Sequence, residues 1–496
     1  MKNILTVEEM ADADKGAVEI GIPSIVLMER AALSVVDEIF QREYDTSEVL
    51  VLCGPGNNGG DGVAIARLLA EKGLSPTLML FGDPMKYSEQ LSLQLKICRF
   101  YDIKTVEAYQ KGRYSLVIDA VFGIGLHRDI SGRIAEIFNS INEERPVVVA
   151  VDIASGIEGN TGRIMGTALK ADLTVTFAAR KIGHCLYPGA EYSGEVTVKD
   201  IGIPVQKKRL TGQILNIEET DLCKLPKRDE SGNKGTFGKL LVIAGSKDIC
   251  GAAYLSACAA LKCGIGMVRI FTEESNRMPL CVLLPEALIT TYREGCFDKA
   301  ALEEALEWSD GVVIGPGLGK SETAKEILSS FFGINKLPTV LDADALNIIA
   351  ENDMSALLSG FPTIITPHMG EMKRLTGVSI EELKKDSIGY ASEYAASNNT
   401  VCVLKDARTI TAYPDGRIFI NLSGCSALAT AGSGDVLSGI LGGYVTRFYK
   451  EAGKDLPIEA MGVFVHGKTG EYAAGGKSKS SVTAVDLLAM LEKNNY

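Results

Sequence analysis

Histidine and tryptophan are scarce in this sequence, with four His and one Trp among 496 residues. The histidines are His127, His184, His368 and His466, and no two of them have the i, i+4 spacing with which a helix presents a metal pair. Cysteine is more frequent, with 11 residues, but the number is odd and no C-x-x-C pair occurs. The pattern indicates reduced, mostly buried thiols, and we expect neither disulfides nor a transition-metal enzyme.

Long apolar runs and clustered positive charge are also absent. The longest apolar stretches, such as 252–261, are well short of the ~20 residues that cross a bilayer. Acidic residues occur within the first ten positions, and no secretory or transit signal is recognisable there. With 51 Lys+Arg against 63 Asp+Glu the formal net charge is -12. The sequence therefore lacks the clustered positive charge that nucleic-acid-binding proteins need. We expect a cytoplasmic protein with small-molecule partners, and neither a membrane nor a nucleic acid as a partner.

What is present is the composition of packed globular domains, with 46% hydrophobic and 23% charged residues. Short apolar, β-branched runs alternate with longer amphipathic stretches in two series, which predicts two α/β units built on parallel strands. A polar and basic segment from Pro204 to Gly212 separates the two series. We therefore predict domains at 1–212 and 213–496, and because no internal repeat occurs, we expect two different folds.

The predicted strands of the first series are 49–53, 78–81, 116–121, 147–151 and 173–177. Those of the second are 240–244, 268–271, 312–314, 339–341, 363–366 and 401–404, with an added hairpin of 409–412 and 417–421. In open parallel sheets, ligands bind outside the carboxyl ends of the strands. The polar residues at these ends are therefore the candidate site residues.

A glycine-rich loop follows the first of these strands. It reads Gly54-Pro55-Gly56-Asn57-Asn58-Gly59-Gly60-Asp61-Gly62 and runs into a helical pattern. Such glycines let backbone N–H groups approach an anion at a helix N-terminus. The run also fits the dinucleotide fingerprint G-x-G-x-x-G, with Asp83 where a ribose-binding acid would lie, and a tight structural turn is a third interpretation. Two adjacent Asn and an Asp favour a phosphate or ligand loop of another kind.

Acidic and hydroxyl residues mark two further strand ends of the first series. Asp119 begins the stretch 119–129, and Asp152-Ile153-Ala154-Ser155-Gly156 follows the fourth strand. Two carboxylates and a hydroxyl could converge with Asn58 to offer oxygen ligands or an acid–base pair. Either aspartate taken singly could instead cap the next helix.

The most specific motif of the second series lies near the C-terminus. It is Gly432-Ser433-Gly434-Asp435, followed by a helical pattern that contains several glycines. Consecutive amides at a helix start can hold a transferring phosphoryl group, and Asp435 can accept the proton of the attacking hydroxyl. His368 and Lys405 also follow apolar strands. His368 is either a core or capping histidine or a ligand contact, and Lys405 is either an exposed surface lysine or a contact to a nucleotide phosphate.

Together these motifs resemble the bacterial bifunctional NAD(P)H-hydrate repair enzymes, in which an epimerase domain is fused to a nucleotide-dependent dehydratase domain. The resemblance covers almost the whole chain and extends to the segments 21–24, 28–31, 187–190, 200–204, 234–238, 315–319 and 366–371. It implies an α/β chain with an N-terminal Rossmann-like three-layer α/β/α domain, the epimerase, at 1–212. A ribokinase-like α/β domain, the ADP-dependent dehydratase, would follow at 213–496.

For the first domain, the resemblance implies exchange of the R and S hydrates of NADH and NADPH (NADHX and NADPHX), with Asp152 as the base that contacts the hydrated ring. The implied substrate-binding residues are Asn57, Asn58, Gly59, Gly60, Asp61, Gly123, Ile124, Gly125, Leu126, His127, Arg128, Asp129 and Asp152. A potassium ion would be held by Asn58, Asp119 and Ser155, whose oxygen atoms suit that ion.

For the second domain, the resemblance implies phosphorylation of the hydroxyl of the S hydrate and elimination of phosphate, with Asp435 as catalytic proton acceptor. The implied substrate-binding residues are Ala252, Gly317, His368 and Asp435. The implied nucleotide-binding residues are Lys405, Asp406, Ala407, Arg408, Thr409, Gly432, Ser433 and Gly434. ADP (or ATP) would be the co-substrate with Mg²⁺, and a homo-oligomer is expected. Asp406 departs from the glycine frequent in the family, and its charge would weaken nucleotide binding unless it points away.

Other interpretations remain open at this point. The Gly-Ser-Gly-Asp signature also suits a ribokinase-like kinase of a small alcohol, such as a vitamin precursor, with an N-terminal ligand-binding domain. The G-x-G-x-x-G motif taken alone would suit a hydride-transferring dehydrogenase. The sequence shows no accompanying set of catalytic residues for an oxidisable substrate. A first domain that binds without turnover is the non-enzymatic alternative, against which the intact Asp119, Asp152 and Asn58 argue.

Overall fold

The computed structural model describes residues 1–205, 213–247, 249–449, 451 and 455–493. The chain forms two compact units: Asn3–Thr211, here the N-terminal unit, and Met1–Lys2 with Gly212–Tyr496, here the C-terminal unit. The boundary predicted at residue 212 lies outside the described residues. All eleven cysteines are free thiols. Within the described ranges, no helix combines the length and apolar character needed to cross a membrane.

The first part of the chain alternates strands and helices as the sequence predicts. Its elements are β1 (Lys2–Leu5), α1 (Val7–Glu19), α2 (Ser24–Gln41), β2 (Val49–Cys53), α3 (Asn57–Glu71), β3 (Thr77–Leu80), α4 (Glu89–Cys98), β4 (Lys104–Thr105), β5 (Leu116–Ala120), α5 (Gly132–Glu144), β6 (Val147–Val151), β7 (Leu173–Phe177), β8 (Arg180–Lys181), α6 (Gly189–Tyr192) and β9 (Glu195–Lys199).

Seven of these strands form one parallel sheet in the order β4-β3-β2-β5-β6-β7-β9. Successive residues of a strand point to opposite faces. In β2, Val49 and Val51 pack into a core with α2 and α3, and Leu50 and Leu52 pack into a second core with α5. Helices thus cover both faces of the sheet, and the predicted three-layer α/β/α architecture is confirmed.

Helix α1 is anchored at both its cap and its first residue. The hydroxyl of Thr6 accepts the N–H of Glu9, and the Glu9 carboxylate accepts the N–H of Thr6, which forms a capping box. The side chain of Asn160, in the segment between β6 and β7, accepts the N–H of Val7 at 2.8 Å. These bonds fix α1 relative to the loop that follows β6.

The second part of the chain contains the elements β10 (Ile214–Asn216), β11 (Lys239–Ile243), α7 (Gly251–Lys262), β12 (Met267–Glu273), α8 (Arg277–Leu283), β13 (Leu288–Tyr292), α9 (Lys299–Trp308), β14 (Gly311–Ile314), α10 (Glu322–Ile334), β15 (Thr339–Leu341), α11 (Asp344–Glu351), β16 (Thr363–Ile365), α12 (Met369–Thr376), α13 (Ile380–Lys385), α14 (Ser387–Asn398), β17 (Val401–Leu404), β18 (Ile410–Ala412), β19 (Ile418–Ile420), α15 (Ser433–Phe448), α16 (Ile458–Gly475) and α17 (Ala484–Met490).

The strands of the C-terminal unit lie in the order β13-β12-β11-β14-β15-β16-β17-β18-β19-β10. From β13 to β17 neighbouring strands are parallel, whereas β17 with β18 and β18 with β19 are antiparallel, so the predicted hairpin is confirmed. Helices α7, α15, α16 and α17 pack on one face of this sheet, in a core that includes Leu240 and Val242 of β11. The first turns of α15 lie next to the carboxyl ends of the central strands, since the Ser438 hydroxyl donates to Asp342, which directly follows β15.

Candidate active sites

The N-terminal unit contains a cavity of about 530 Å³, a size typical of small-molecule sites. Residues that follow the carboxyl ends of β2, β5 and β6 line it, as expected for a parallel sheet. Eight of the predicted site residues are among them: Asn57, Asn58, Asp61, Gly123, Ile124, Gly125, Leu126 and Asp152. Helices α1 and α2 also contribute to the lining, through side chains that include Asp14 and Met28.

Asp152 directly follows β6 and forms an ion pair inside this cavity. The Nζ of Lys181 lies 2.5 Å from Oδ1 of Asp152, and the Lys181 side chain is fully buried. The hydroxyl of Thr176 donates to the same carboxylate oxygen at 3.0 Å. Burial acts to raise the pKa of Asp152, but the Lys181 ammonium outweighs it and the pKa lies below its usual value. Asp152 is therefore an ionised carboxylate at neutral pH.

The backbone of Asp152 is held in a strained conformation. Its φ angle is 67°, in the left-handed region that costs a non-glycine residue about 1–2 kcal/mol. The backbone N–H of Asp152 donates to the carbonyl of Val175 at 2.8 Å, and Nε2 of His184 lies 2.9 Å from the Asp152 carbonyl oxygen. Because Nδ1 of His184 accepts the N–H of Lys181 at 3.0 Å, the proton of the neutral ring is on Nε2. Burial lowers the pKa of His184 to about 3, so the ring stays neutral and keeps Asp152 in place.

Two more carboxyl groups line the same cavity, Asp14 on α1 and Asp61 on α3. In the part of the chain that the structure describes, neither side chain forms a hydrogen bond or an ion pair. Burial, together with the nearby Asp152 charge, raises the pKa of Asp14 to about 6 and that of Asp61 well above its usual value. The cavity thus combines one carboxylate paired with lysine and two carboxyl groups that resist ionisation.

Next to the cavity lies a buried oxygen-rich cluster formed by Asp119 and Ser155. The Ser155 N–H donates to Oδ2 of Asp119 at 2.7 Å and its hydroxyl to Oδ1 at 2.6 Å. Among the described residues no cationic side chain pairs with Asp119, and burial raises its pKa to about 6. The Nδ2 atom of Asn58 is buried without a hydrogen-bond partner, and a reversed amide would present its oxygen instead. Carboxylate, amide and hydroxyl oxygens suit a hard cation such as K⁺.

The C-terminal unit brings Asp435 to the start of a helix. Helix α15 begins at Ser433, with Gly432 as its N-cap at φ 84°, so Asp435 lies in the first turn. The φ of Gly432 is one that favours glycine. Burial, and then the charge of Asp342, raise the pKa of Asp435 to about 6. A carboxylate with such a pKa, beside the amides of a helix N-terminus, is suited to general base catalysis next to a bound phosphoryl group.

Lys405 stands at the same helix start. Its Nζ lies 2.7 Å from Oδ1 of Asp342, whose other oxygen accepts the Ser438 hydroxyl at 2.6 Å. A Cβ atom placed on Gly434 would lie 3.6 Å from the Lys405 ammonium. The Lys405 side chain is only 20% exposed, so its interpretation as an exposed surface lysine is wrong. The ammonium adds positive charge to the amides at the start of α15, which favours an anion there.

The remaining predicted residues of this unit lie on the loops around that helix start. A Cβ on Gly317 would lie 3.0 Å from Cβ of Ala252, so these two residues are in contact. His368 is the N-cap of α12, and its Nδ1 accepts the N–H of Gly370 at 2.9 Å. The capping role considered for His368 is therefore present, and its side chain is still 54% exposed. Asp406, which replaces the glycine frequent in the family, is exposed.

Comparisons with known proteins agree with this arrangement. Residues 240–493 match a family model described as NAD(P)H-hydrate dehydratase, and residues 24–183 match one described as YjeF-related protein N-terminus. A bifunctional NAD(P)H-hydrate repair enzyme from Moorella thermoacetica is 35% identical over 98% of this chain and 96% of its own length. One from Thermofilum pendens is 36% identical over 99% of this chain and 95% of its own length.

This chain belongs to the family of bifunctional NAD(P)H-hydrate repair enzymes. Its resemblance to that family, predicted from the motifs, is confirmed. Among solved structures, a ribokinase-like superfamily protein from Enterococcus faecalis is similar to 58% of this chain and 98% of its own, with a TM-score of 0.50 and 25% identity. That likeness confirms the ribokinase-like fold predicted for the second domain.

Not all the residues that the family resemblance implies lie at the N-terminal cavity. Gly59 and Gly60 are buried within α3, where a Cβ on Gly60 would lie 2.5 Å from Cε of Met28. Gly60 therefore permits close packing of α2 against α3, whereas a Cβ on Gly59 would lie 1.9 Å from the carbonyl oxygen of Gly54, so Gly59 permits the close approach of the preceding loop. His127, Arg128 and Asp129 are exposed and are not part of the cavity lining. Their contact with the substrate stays a prediction.

Several residues of this repair-enzyme chain take part in the sites without having been singled out for them from the sequence. They are Asp14, Lys181 and His184 in the N-terminal unit, and His466 in the C-terminal unit. Nε2 of His466 lies 3.0 Å from the Ser433 carbonyl oxygen and 3.1 Å from the Ser433 hydroxyl, at the first residue of α15. Asp342 begins the polar segment 342–347, which directly follows a predicted strand, and its ion pair with Lys405 brings it to the same site.

Proposed function

We propose that this chain repairs hydrated NADH and NADPH through two activities. The part at 1–212 would interconvert the R and S hydrates, and the part at 213–496 would convert the S hydrate back to NAD(P)H. The proposal rests on two separate sites in one member of the family. One is the cavity lined by carboxylates in the N-terminal unit, and the other is the start of α15, which is suited to binding a phosphoryl group. A dehydratase that accepts one isomer restores all the hydrate only if an epimerase supplies that isomer.

In the N-terminal unit, Asp152 is the proposed base toward the hydrated ring. The ion pair with Lys181 keeps its carboxylate ionised and fixes its position. Asn57, Asn58 and Asp61 at the start of α3 and the glycine-containing stretch 123–126 would hold the dinucleotide, since backbone N–H groups at a helix start and beside glycines can approach phosphates closely.

A potassium ion held by Asp119 and Ser155 together with Asn58 would offset the fully buried Asp119 carboxylate, which is unfavourable without a cationic partner. A bound K⁺ would supply positive charge beside the phosphate-binding loops. Asp119 would also orient Ser155, whose hydroxyl accepts the N–H of Phe122 at 2.8 Å, and thereby shape the loop that starts at Phe122.

In the C-terminal unit, Asp435 would accept the proton of the substrate hydroxyl as the hydroxyl oxygen attacks the terminal phosphoryl group of ADP or ATP. The amides of Gly432, Ser433 and Gly434 and the Lys405 ammonium would stabilise the charge that develops on the phosphoryl oxygens. Loss of phosphate from the ring carbon and of a proton from its neighbour would then restore the dihydropyridine.

Magnesium would accompany the nucleotide. Within the described ranges, no group of three or more His, Cys, Asp or Glu side chains forms a metal site. Mg²⁺ commonly binds through substrate phosphates and only one or two carboxylates. A site with few protein carboxylates, in which the nucleotide phosphates supply most of the ligands, therefore fits the ion. Asp344 is the nearby carboxylate left for the ion, since Asp435 is the proposed base and Asp342 is already paired with Lys405.

The test is recovery of dihydropyridine absorbance from a mixture of both hydrates, with ADP or ATP, Mg²⁺ and K⁺. The full chain should restore all of the hydrate. With Asp152→Asn, conversion of one isomer should slow to the spontaneous rate, and Asp435→Asn should abolish recovery. A stable phosphorylated product without dihydropyridine would instead favour a ribokinase-like kinase of a small alcohol.

A further inference from the structure

Asp14 lies in the cavity of the N-terminal unit on an element that no motif covers. It is on α1 (Val7–Glu19), whereas the matched family region begins at residue 24. Its side chain lines the same cavity as Asp152, which reaches that cavity from the end of β6. A second carboxyl group therefore approaches the proposed substrate from a separate element.

The position of Asp14 is fixed although it has no partner. The capping box of Thr6 and Glu9, and the bond from Val7 to Asn160, hold α1 in place. Among the described residues the Asp14 carboxyl forms no hydrogen bond or ion pair. A half-buried carboxyl group without a partner destabilises the folded state, so its placement serves the cavity rather than the fold.

We propose that Asp14 is a second catalytic acid–base residue of the epimerase reaction, acting with Asp152 on the carbon that bears the hydroxyl. This inference rests on the proposed function of the N-terminal unit. It adds a group that transfers a proton to the leaving oxygen, whereas Asp152 alone supplies only a base.

The proposed exchange is an acid-assisted loss of water from the hydrated carbon, followed by addition of water to its other face. The Asp14 carboxyl donates its proton to the hydroxyl oxygen as the carbon–oxygen bond breaks, and the ring nitrogen supplies the electron pair, so that water leaves and an iminium ion remains. A water molecule then adds to the opposite face of the same carbon, and its proton passes to Asp152. Asp14 is left ionised and Asp152 protonated, which is the state needed for the reverse conversion.

The electrostatic surroundings favour this division of roles. The charged or titratable groups facing Asp14 are Lys15 on its own helix, Asp61 on α3, Asp152 after β6 and Lys181 on β8. Burial and the Asp152 charge raise the pKa of Asp14 to about 6, whereas the Lys181 ammonium keeps the pKa of Asp152 low. Asp14 is therefore the better proton donor of the two and Asp152 the better acceptor.

The experiment compares the full chain with its Asp14→Asn, Asp12→Asn and Asp152→Asn variants. Epimerisation is followed by chromatography of the two hydrates without nucleotide, and dehydration is measured separately with the S hydrate and nucleotide. Asp12 is the matched control, since it is an exposed aspartate on the same helix. Asp14→Asn should lower kcat of epimerisation about 100-fold or more, the usual contribution of a general acid, with a smaller change in KM. Dehydration should be unchanged, and Asp12→Asn should behave as the parent chain.

The pH profile separates catalysis from a structural role. For the parent chain, kcat/KM of epimerisation from the isomer that Asp14 protonates should fall as pH rises through about 6, and Asp14→Asn should lose this limb. Unchanged kcat in Asp14→Asn, or a change in KM alone with the limb retained, would overturn the role of Asp14. If the parent chain itself does not exceed the spontaneous rate, the proposed epimerase function fails instead.

Discussion

The ammonium of Lys181 lies 2.5 Å from Oδ1 of Asp152 although the two residues are far apart in sequence and Lys181 is completely buried. Thr176 and the carbonyl of Phe177 accept the remaining donors of this ammonium at 2.8 and 3.2 Å. A buried pair of this kind is costly to break, because removing one partner leaves the other charged and without compensation. The pair therefore links the stability of the N-terminal unit to the ionisation of its proposed base.

Replacement of Lys181 tests that link. Lys181→Met should destabilise the N-terminal unit by about 3–5 kcal/mol, because Asp152 would lose its buried cation. The pKa of Asp152 should then rise, and epimerisation at neutral pH should fall. Hydrogen–deuterium exchange of the peptides that contain β5 and β6 measures the stability, and hydrate chromatography measures the rate.

Lys170→Met is the control for this replacement, since Lys170 pairs with Glu191 on the surface, where both side chains are 55% exposed. A surface pair contributes about 0–1 kcal/mol, so little change is expected. Equal exchange rates in the Lys181→Met and Lys170→Met proteins would show that the buried pair does not hold this part of the sheet together.

Potassium should stabilise the N-terminal unit through Asp119. In KCl, the melting temperature should exceed that in choline chloride of equal ionic strength, because an ion that binds only the folded state shifts the equilibrium toward it. Asp119→Asn should remove the difference between the two salts. Differential scanning calorimetry of the full chain measures it, and an equal shift in the parent chain and the variant would exclude a cation at Asp119.

The dehydratase step should require ionised Asp435. Because burial and Asp342 raise the pKa of Asp435 to about 6, kcat/KM for the S hydrate should decline as pH falls below about 6. Asp435→Asn should lose about 100-fold or more in kcat. The exposed Asp415, in the β18–β19 turn, offers the control Asp415→Asn, which should keep the parent rate. Dehydration that persists in Asp435→Asn would reassign the base.

His466 should make the C-terminal unit sensitive to acid. Burial lowers the pKa of His466 to about 4, so the folded state resists protonation while the unfolded state accepts a proton near pH 6.5. Its contribution to stability is complete above pH 6.5 and is lost as pH falls toward 4, by up to about 1.4 kcal/mol per pH unit.

The difference in unfolding free energy between His466→Gln and the parent chain should therefore shrink over that pH range. Trp308 is the single tryptophan and lies in α9, so its fluorescence reports urea unfolding of the C-terminal unit alone. A difference that stays constant from pH 7 to pH 4 would contradict the proposed neutral state of His466.

The sequence predicted the central strands well and the edge strands poorly, for a physical reason. β2 and β6 are buried and appear as continuous apolar runs, and β7 is fully buried, with threonines alternating with apolar residues. β9 and β13 were missed, because each lies at the edge of its sheet and mixes polar with apolar residues on partly exposed faces. Edge strands lack the burial that leaves a readable pattern.

The candidate sites show a similar division. Loops that follow central strands, such as those with Asp152 and Asp435, could be predicted because chain order determines where a parallel sheet gathers its loops. The role of Lys181 could not be predicted from the sequence. A lysine in a polar stretch gives no indication of complete burial until its partner Asp152 is placed beside it. Asp14 is one of several acids in α1, and only the tertiary packing of that helix separates it from its exposed neighbours.

Helix α1 forms one side of the cavity, so truncated versions of this protein that lack it would lose part of the site. The matched family region starts at residue 24, so a protein trimmed to that limit would lack the whole of α1. The sheet, Asp152 and Lys181 would all be retained, but one side of the cavity would open to bulk water. Such a fragment could be folded, soluble and inactive, and its inactivity would reflect the missing N-terminal helix rather than a defect in the residues that the family comparison identifies.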